Sequence, residues 1–223
     1  MSEATRARFG ASIVALAPAV MLVGLFAHPY IATLPDETAI AEAVAADTTW
    51  WGLVHLTAGV ASGLLVLAFL AVRSYLREAG EERWSILALP FIVMGSTLFT
   101  VLPGMEFAPL AAAEAGVDGE AIQAALAPWF IPILVTGATT FAVGVFAFAK
   151  GIADSRILSR WLSRLVVGAL VVMAVARLVP VGVVQFYVQG AAGIVALWPL
   201  AYEMWKHPEA ARAAGQPQPI TTT

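Results

Sequence analysis

The chain contains no cysteine, and only 12% of its 223 residues are charged. The absence of cysteine excludes disulfides, thiolate-bound metals and thiol redox chemistry. The charged fraction is about half of that in a typical soluble domain, while hydrophobic residues make up 60% of the chain. The formal net charge of −3 gives no sign of a basic surface for nucleic acid. This composition predicts an integral membrane protein without a nucleic-acid partner.

The common catalytic motifs are also absent. The sequence has no GxSxG, no HExxH, no P-loop and no GxGxxG between a strand and a helix. None of its apolar stretches carries the paired acidic residues that are typical of proton-coupled transporters. These absences favour a binding or structural role over an enzyme.

The chain instead contains several long apolar runs. A helix that crosses the hydrocarbon core needs about 20 mostly apolar residues, and the runs are continuous rather than alternating, which excludes membrane strands. We predict an all-α membrane domain over residues 1–205, followed by a disordered cytoplasmic tail over 206–223. The six predicted transmembrane helices cover residues 9–31, 49–72, 85–104, 127–149, 163–181 and 184–205. The turn between the last two is placed at either Pro180–Gly182 or Gln189–Gly190.

The distribution of charge predicts the orientation of the chain. Segments 32–48 and 105–126 contain no Lys or Arg. All Lys and Arg residues except Arg177 lie in the segments predicted for the other side of the membrane. By the positive-inside rule, both termini are cytoplasmic, in the plasma membrane of a bacterium or archaeon. Trp50 and Trp51 are predicted to lie in the outer aromatic belt. Because LFAHP lacks small residues at both cleavage positions, we expect the first stretch to be retained rather than removed as a signal peptide.

The two predicted outer loops resemble each other. DETAIAEAVA (36–45) aligns with DGEAIQAALA (118–127), and each begins with an Asp that can cap a helix. Each loop follows an apolar stretch with a proline near its end, Pro29 and Pro103. We interpret the chain as two or three tandem helical hairpins with short amphipathic helices in the outer loops.

His55 lies on a stripe of small residues within the second predicted helix. Gly52, Gly59 and Gly63 share this face at helical spacing, and the last two form a GxxxG pair. Small residues let helices approach closely in lipid. The pattern therefore predicts a packing face and places the imidazole of His55 inside the bundle.

Several polar residues fall at a similar depth in the outer half of the predicted bundle, where ionisable side chains normally face an interior or a wet cavity. We predict an outward-facing polar pocket that binds a small ligand, a lipid or a cofactor. Its predicted ligand-binding residues are His55, Arg177, Gln185, Gln189, Glu106 and Thr136. For Arg177 the alternatives are a structural ion pair with Glu106 and the binding of an anionic headgroup or carboxylate.

The two histidines near the outer ends of the first two helices suggest two cofactors. Imidazoles on different helices at matching depth could hold haem b. His28, His55 and Glu106 could instead hold a divalent metal. The third interpretation is that both histidines only pack and form hydrogen bonds.

Four functions therefore stay open on the sequence alone. Binding in the outer pocket is the first, within a larger membrane complex or a homo-oligomer. The others are a haem or metal redox protein, a small transporter and a structural accessory subunit. The predicted partners are the lipid bilayer and anionic lipids at the inner basic loop that holds Arg156, Arg160 and Arg164.

Overall fold

The computed structural model describes residues 3–206, and within this range the protein is all-helical with no β-strand. The elements are α1 (Glu3–Ala27), α2 (Glu37–Ala46), α3 (Thr48–Glu78), α4 (Arg83–Met105), α5 (Phe107–Glu114), α6 (Gly119–Ser155), α7 (Arg160–Ala176), a π-helix (Val183–Val188) and α8 (Gln189–Lys206). The predicted tail from residue 207 onward lies outside the described residues.

Five helical segments are long and apolar enough to cross a membrane: Ala4–Ala27, Thr48–Glu78, Arg83–Glu114, Gly119–Ser155 and Val183–Lys206. The prediction of an all-helical protein with several membrane-length helices is confirmed. Helix α7 has 17 residues, which corresponds to about 26 Å of rise, somewhat less than the hydrocarbon thickness of about 30 Å. The sixth crossing therefore stays a prediction.

The six longer helices pack in chain order around a closed ring. Helix α1 contacts α3 and α8, and further contacts join α3 to α4, α4 to α6, α6 to α7 and α7 to α8. Phe69, Phe141 and Phe148 are fully buried, and Phe69 contacts both of the others. The apolar faces of the helices therefore meet in one aromatic-rich core.

The closest helix contact lies between α4 and α6. A methyl group at Gly95 would lie 2.5 Å from the backbone nitrogen of Phe141, and one at Gly144 would lie 2.9 Å from Ile92. Only glycine permits this approach. Gly63, by contrast, is exposed and has no atom near the position of a methyl group. A methyl group at Gly59 would lie 3.8 Å from Thr100 of α4, so of the predicted pair only Gly59 faces a neighbouring helix.

The two aligned segments begin alike and then differ. Asp36 caps α2 by accepting from Ala39 N at 3.0 Å, and Asp118 caps α6 by accepting from Ala121 N at 3.1 Å. Helix α2 ends at Ala46, because the extended backbone of Asp47 breaks the helix. No such break follows the second segment, so 118–127 forms the first turns of α6 rather than the separate short helix that was predicted. The separate helix of that loop is α5, and the hairpin repeat itself stays a prediction.

The segments 28–47, 105–120 and 177–182 lie at one end of the bundle. They hold eight Asp and Glu residues and a single Lys or Arg, Arg177, so we call this the acidic end. The loop after α7 is joined there to the loop after α1. Leu34 N donates to Pro180 O at 3.3 Å, and Gly182 N donates to Ala32 O at 2.9 Å. A methyl group at Gly182 would collide with the carbonyl oxygen of Ile31. The turn therefore lies at the first of the two predicted positions, and Gln189–Gly190 belongs to a continuous helix.

Candidate ligand-binding pocket

A cavity of about 90 Å³ lies inside the ring at the acidic end. Helices α1, α3, α4 and α6 and the π-helix all contribute to its walls, which are mostly aliphatic and aromatic. Its ionisable and amide side chains are His28, His55, Glu106 and Gln185. An apolar cavity with a few convergent polar groups is the usual form of a small-molecule site.

Two imidazoles meet at the wall of this cavity. The ring of His28 lies edge to face with that of His55, with 5.0 Å between their centroids. Trp51, one helical turn before His55, stacks on it at 4.3 Å, and Phe186 of the π-helix lies 4.6 Å from His28. The end of α1, the first turns of α3 and the π-helix are thus held together by four rings.

Hydrogen bonds set the tautomer of both histidines. Nδ1 of His55 lies 2.7 Å from Trp51 O, and Nδ1 of His28 lies 2.7 Å from Pro29 O. A carbonyl oxygen can only accept, so each Nδ1 carries a proton. Burial lowers the pKa of His28 below its usual value, which favours the neutral ring. In neutral rings of this tautomer, each Nε2 is a hydrogen-bond acceptor.

The arrangement does not fit the two predicted cofactors. In a bis-histidine haem the porphyrin plane separates the two imidazoles, whereas these two rings are already in contact with each other. Among the described residues, no group of three His, Asp or Glu side chains is placed to hold a metal ion. His28, His55 and Glu106 line one cavity without forming such a cluster.

Glu106 is buried at the end of α4 and is bound by its own neighbours. Gln123 Nε2 donates to its Oε2 at 2.6 Å, and Trp51 Nε1 donates to its backbone oxygen at 3.2 Å. Sequence reasoning missed Gln123, although its position in the amphipathic segment 118–127 was a signal for it. The predicted ion pair between Glu106 and Arg177 does not form.

Arg177 lies in the centre of the bundle, only 2% exposed. Its guanidinium carbon lies 4.1 Å from the ring centre of Phe99 and 3.8 Å from that of Phe141. When the amide of Gln189 is oriented so that its oxygen faces Arg177 and its nitrogen faces the backbone oxygen of Gln185, Gln189 Oε1 accepts from Arg177 Nη2 at 3.1 Å. Gln185 Nε2 donates to the backbone oxygen of Arg177 at 3.2 Å. Nη1 has no hydrogen-bond partner, and no described carboxylate forms an ion pair with this side chain.

The energetics of Arg177 follow from these contacts. Burying an ion costs several kcal/mol, and a desolvated contact between a guanidinium and an aromatic ring stabilises the buried ion by about 2 kcal/mol. Two such rings and one hydrogen bond offset part of that cost. The unpartnered Nη1 adds about 1–3 kcal/mol against the fold. The positive charge is therefore only partly compensated by the described part of the chain.

A second, smaller cavity of about 10 Å³ adjoins Arg177. It is lined by Arg177, Gln189 and Ser62 among apolar residues, and it is large enough for about one water molecule. Leu25, Ala58 and Phe99 line both this cavity and the larger one. These three residues therefore form the partition between the pocket and the guanidinium.

The structure brings most of the predicted site residues together. His28, His55, Glu106 and Gln185 line the larger cavity, and Arg177 and Gln189 line the smaller one. Thr136 does not belong to the site, because it lies on the exposed side of α6.

The aromatic walls were not foreseen. Trp51 is 1% exposed rather than interfacial, whereas Trp50 is exposed and donates to Ala27 O at 2.9 Å. A tryptophan pair at a helix end does not reveal which of its members turns inward. Phe99 and Phe186 carried no signal that distinguished them from lipid-facing phenylalanines.

Fold and site together define a helical, multi-pass class of membrane protein with an apolar pocket at one end. Comparisons of the chain with protein-family models, with curated proteins and with solved structures return no match. Its function therefore has to be inferred from the pocket.

Proposed function

We propose that this chain is a six-span protein of a prokaryotic plasma membrane that binds a slender, mainly apolar ligand in the pocket at its acidic end. The observation that carries the proposal is the cavity of about 90 Å³ with apolar walls and four convergent polar side chains. A dry cavity of about 150 Å³ is known to accept benzene. The smaller volume here favours the end of an acyl chain or a short aliphatic molecule over a bulky cofactor.

The polar side chains of the pocket orient the bound ligand. Nε2 of His28 and Nε2 of His55 are acceptors for a hydroxyl or amide of the ligand, as their tautomers require. Gln185 Oε1 is a buried acceptor without a partner among the described residues, so it supplies a third. A buried acceptor that stays unpaired is costly, so these groups favour a mainly apolar ligand that carries at least one hydroxyl or amide donor.

Charge supports the membrane orientation in this proposal. The acidic end faces outward, and Arg156, Arg160 and Arg164 surround an exposed depression of about 410 Å³ near the other end. In this orientation these three side chains contact anionic headgroups of the inner leaflet. The core beyond the pocket is filled by Phe69 and Phe148, which favours binding over passage through the bundle.

The test is a binding measurement with an uncharged probe. Purified protein in nanodiscs is titrated with 1-decanol and followed by native mass spectrometry. Ala58→Phe fills the partition and the pocket, so we expect binding to weaken by at least about tenfold. Val60→Phe is the matched control, since Val60 is exposed on the same helix. Equal binding by both variants and the wild type would contradict the pocket as the site.

A further inference from the structure

We infer that Arg177 is an anion-binding residue and that the ligand of the pocket carries a carboxylate head, which pairs with this guanidinium. The inference rests on the proposed function and specifies its ligand class. It is supported by the contacts of Arg177 and by the partition of Leu25, Ala58 and Phe99, which separates Arg177 from the pocket.

The charge of Arg177 lacks a partner among the described side chains. The side chain is 2% exposed, and Nη1 makes no hydrogen bond. Glu106, the acid of the same pocket, is already bound by Gln123 at 2.6 Å. A buried guanidinium is normally paired with an anion. The missing anion is therefore the feature that a ligand would supply.

The chain holds Arg177 in place by two glutamines, four residues apart. Gln185 binds its backbone oxygen, and Gln189 binds Nη2. Gln189 Nε2 also donates to the backbone oxygen of Gln185 at 3.1 Å. Gln185 lies in the π-helix, a distortion that is frequent at functional sites. The guanidinium is thus positioned by neutral groups, which leave its charge intact and Nη1 available for an anion.

The route from pocket to guanidinium passes Phe99. The ring of Phe99 lies over the guanidinium and also lines both cavities. In this inference, Phe99 is the part of the partition that moves, and its rotation gives the ligand access to Nη1. A carboxylate is the smallest head that can accept from a guanidinium through two oxygens. The aliphatic tail then occupies the larger cavity between α1, α3 and α4.

The experiment compares decanoate, 1-decanol and acetate on the same nanodisc sample at pH 8, where the carboxylates are ionised. We expect wild-type protein to bind decanoate at least about tenfold more tightly than decanol. Arg177→Met should remove this preference and leave the affinity for decanol unchanged. If acetate competes with decanoate at comparable concentration, the anion is a small free acid; if it does not, the ligand is an amphiphile.

Each outcome separates the inference from the proposed function. Equal affinity of the wild type for decanoate and decanol, with both lost in Ala58→Phe, overturns the role of Arg177 but keeps the pocket. Failure of every probe to bind overturns both. If Arg177→Met does not fold, the role of Arg177 is still tested by the preference for decanoate over decanol, measured on the wild type and on Arg177→Lys. Lysine keeps the charge but not the planar pair of donors, so a reduced preference for decanoate is expected.

Discussion

His28 and His55 meet edge to face, with 5.0 Å between their ring centroids, across the junction of α1 and α3. His28 donates through Nδ1 to Pro29 O and His55 donates through Nδ1 to Trp51 O, so both rings present Nε2 as an acceptor. The pair thereby gives the pocket a polar wall without introducing charge. Arg177, by contrast, introduces a positive charge that no described carboxylate pairs with.

The first prediction concerns the pH dependence of stability. Burial lowers the pKa of His28 below its usual value of 6.5, so the unfolded chain binds more protons than the folded chain between these two pKa values. The contribution of His28 to stability is complete above about pH 6.5 and is lost as the pH falls below it. His28→Phe keeps a ring against Phe186 and should reduce the drop in unfolding temperature between pH 7.5 and pH 5.5. An unchanged drop would show that His28 does not titrate on unfolding.

The second prediction concerns the contact between α4 and α6. Gly95→Ala places a methyl group 2.5 Å from the backbone of Phe141, so the two helices must separate. We expect a loss of about 1–3 kcal/mol or more in the free energy of unfolding. Gly63→Ala is the matched control, because its methyl group meets open space and helix propensity favours Ala by about 0.8–1.0 kcal/mol. Thermal unfolding in detergent measures both, and a similar response of the two variants would argue against the close contact.

The third prediction concerns the hydrogen bond from Gln123 to Glu106. Gln123→Leu removes the donor and leaves the buried carboxyl group unsatisfied, which should cost about 1–3 kcal/mol. Thr38→Val removes an exposed hydrogen bond to Glu120 of 3.0 Å and should change stability by no more than about 0.5 kcal/mol. Chemical denaturation of the two variants compares a buried with an exposed bond in the same loops. Equal effects would mean that the Gln123 bond contributes no more than the surface bond does.

The fourth prediction concerns orientation, and the absence of cysteine makes it simple to test. Ala115→Cys lies exposed at the acidic end, and Ala153→Cys lies exposed near the end of α6 on the basic side. A membrane-impermeant maleimide added to intact cells should label the first and spare the second, as the positive-inside rule requires. Lysed cells, in which both should react, provide the control. The reverse labelling pattern would invert the proposed topology.

Much of the fold was predictable because it follows from local rules. The apolar runs specify helices, since a chain in hydrocarbon must satisfy its backbone polar groups within the segment. Asp36 and Asp118 were predicted as caps and act as caps, because capping depends on four consecutive residues and not on the rest of the protein. Helix ends were less predictable, since α6 continues past Pro128 and Pro132 where two elements had been expected.

The sequence by itself therefore determined the helical membrane class, the separation of acidic from basic segments and the residues from which a site could be built. The tertiary structure alone decided how each helix is rotated about its axis. That rotation turns Trp51 inward and Thr136 outward, joins Glu106 to Gln123, and leaves Arg177 between two phenylalanines with no ion-pair partner among residues 3–206. Rotation depends on contacts between distant segments, such as Gly95 against Phe141, and in a helix that is apolar on all sides no sequence pattern records it.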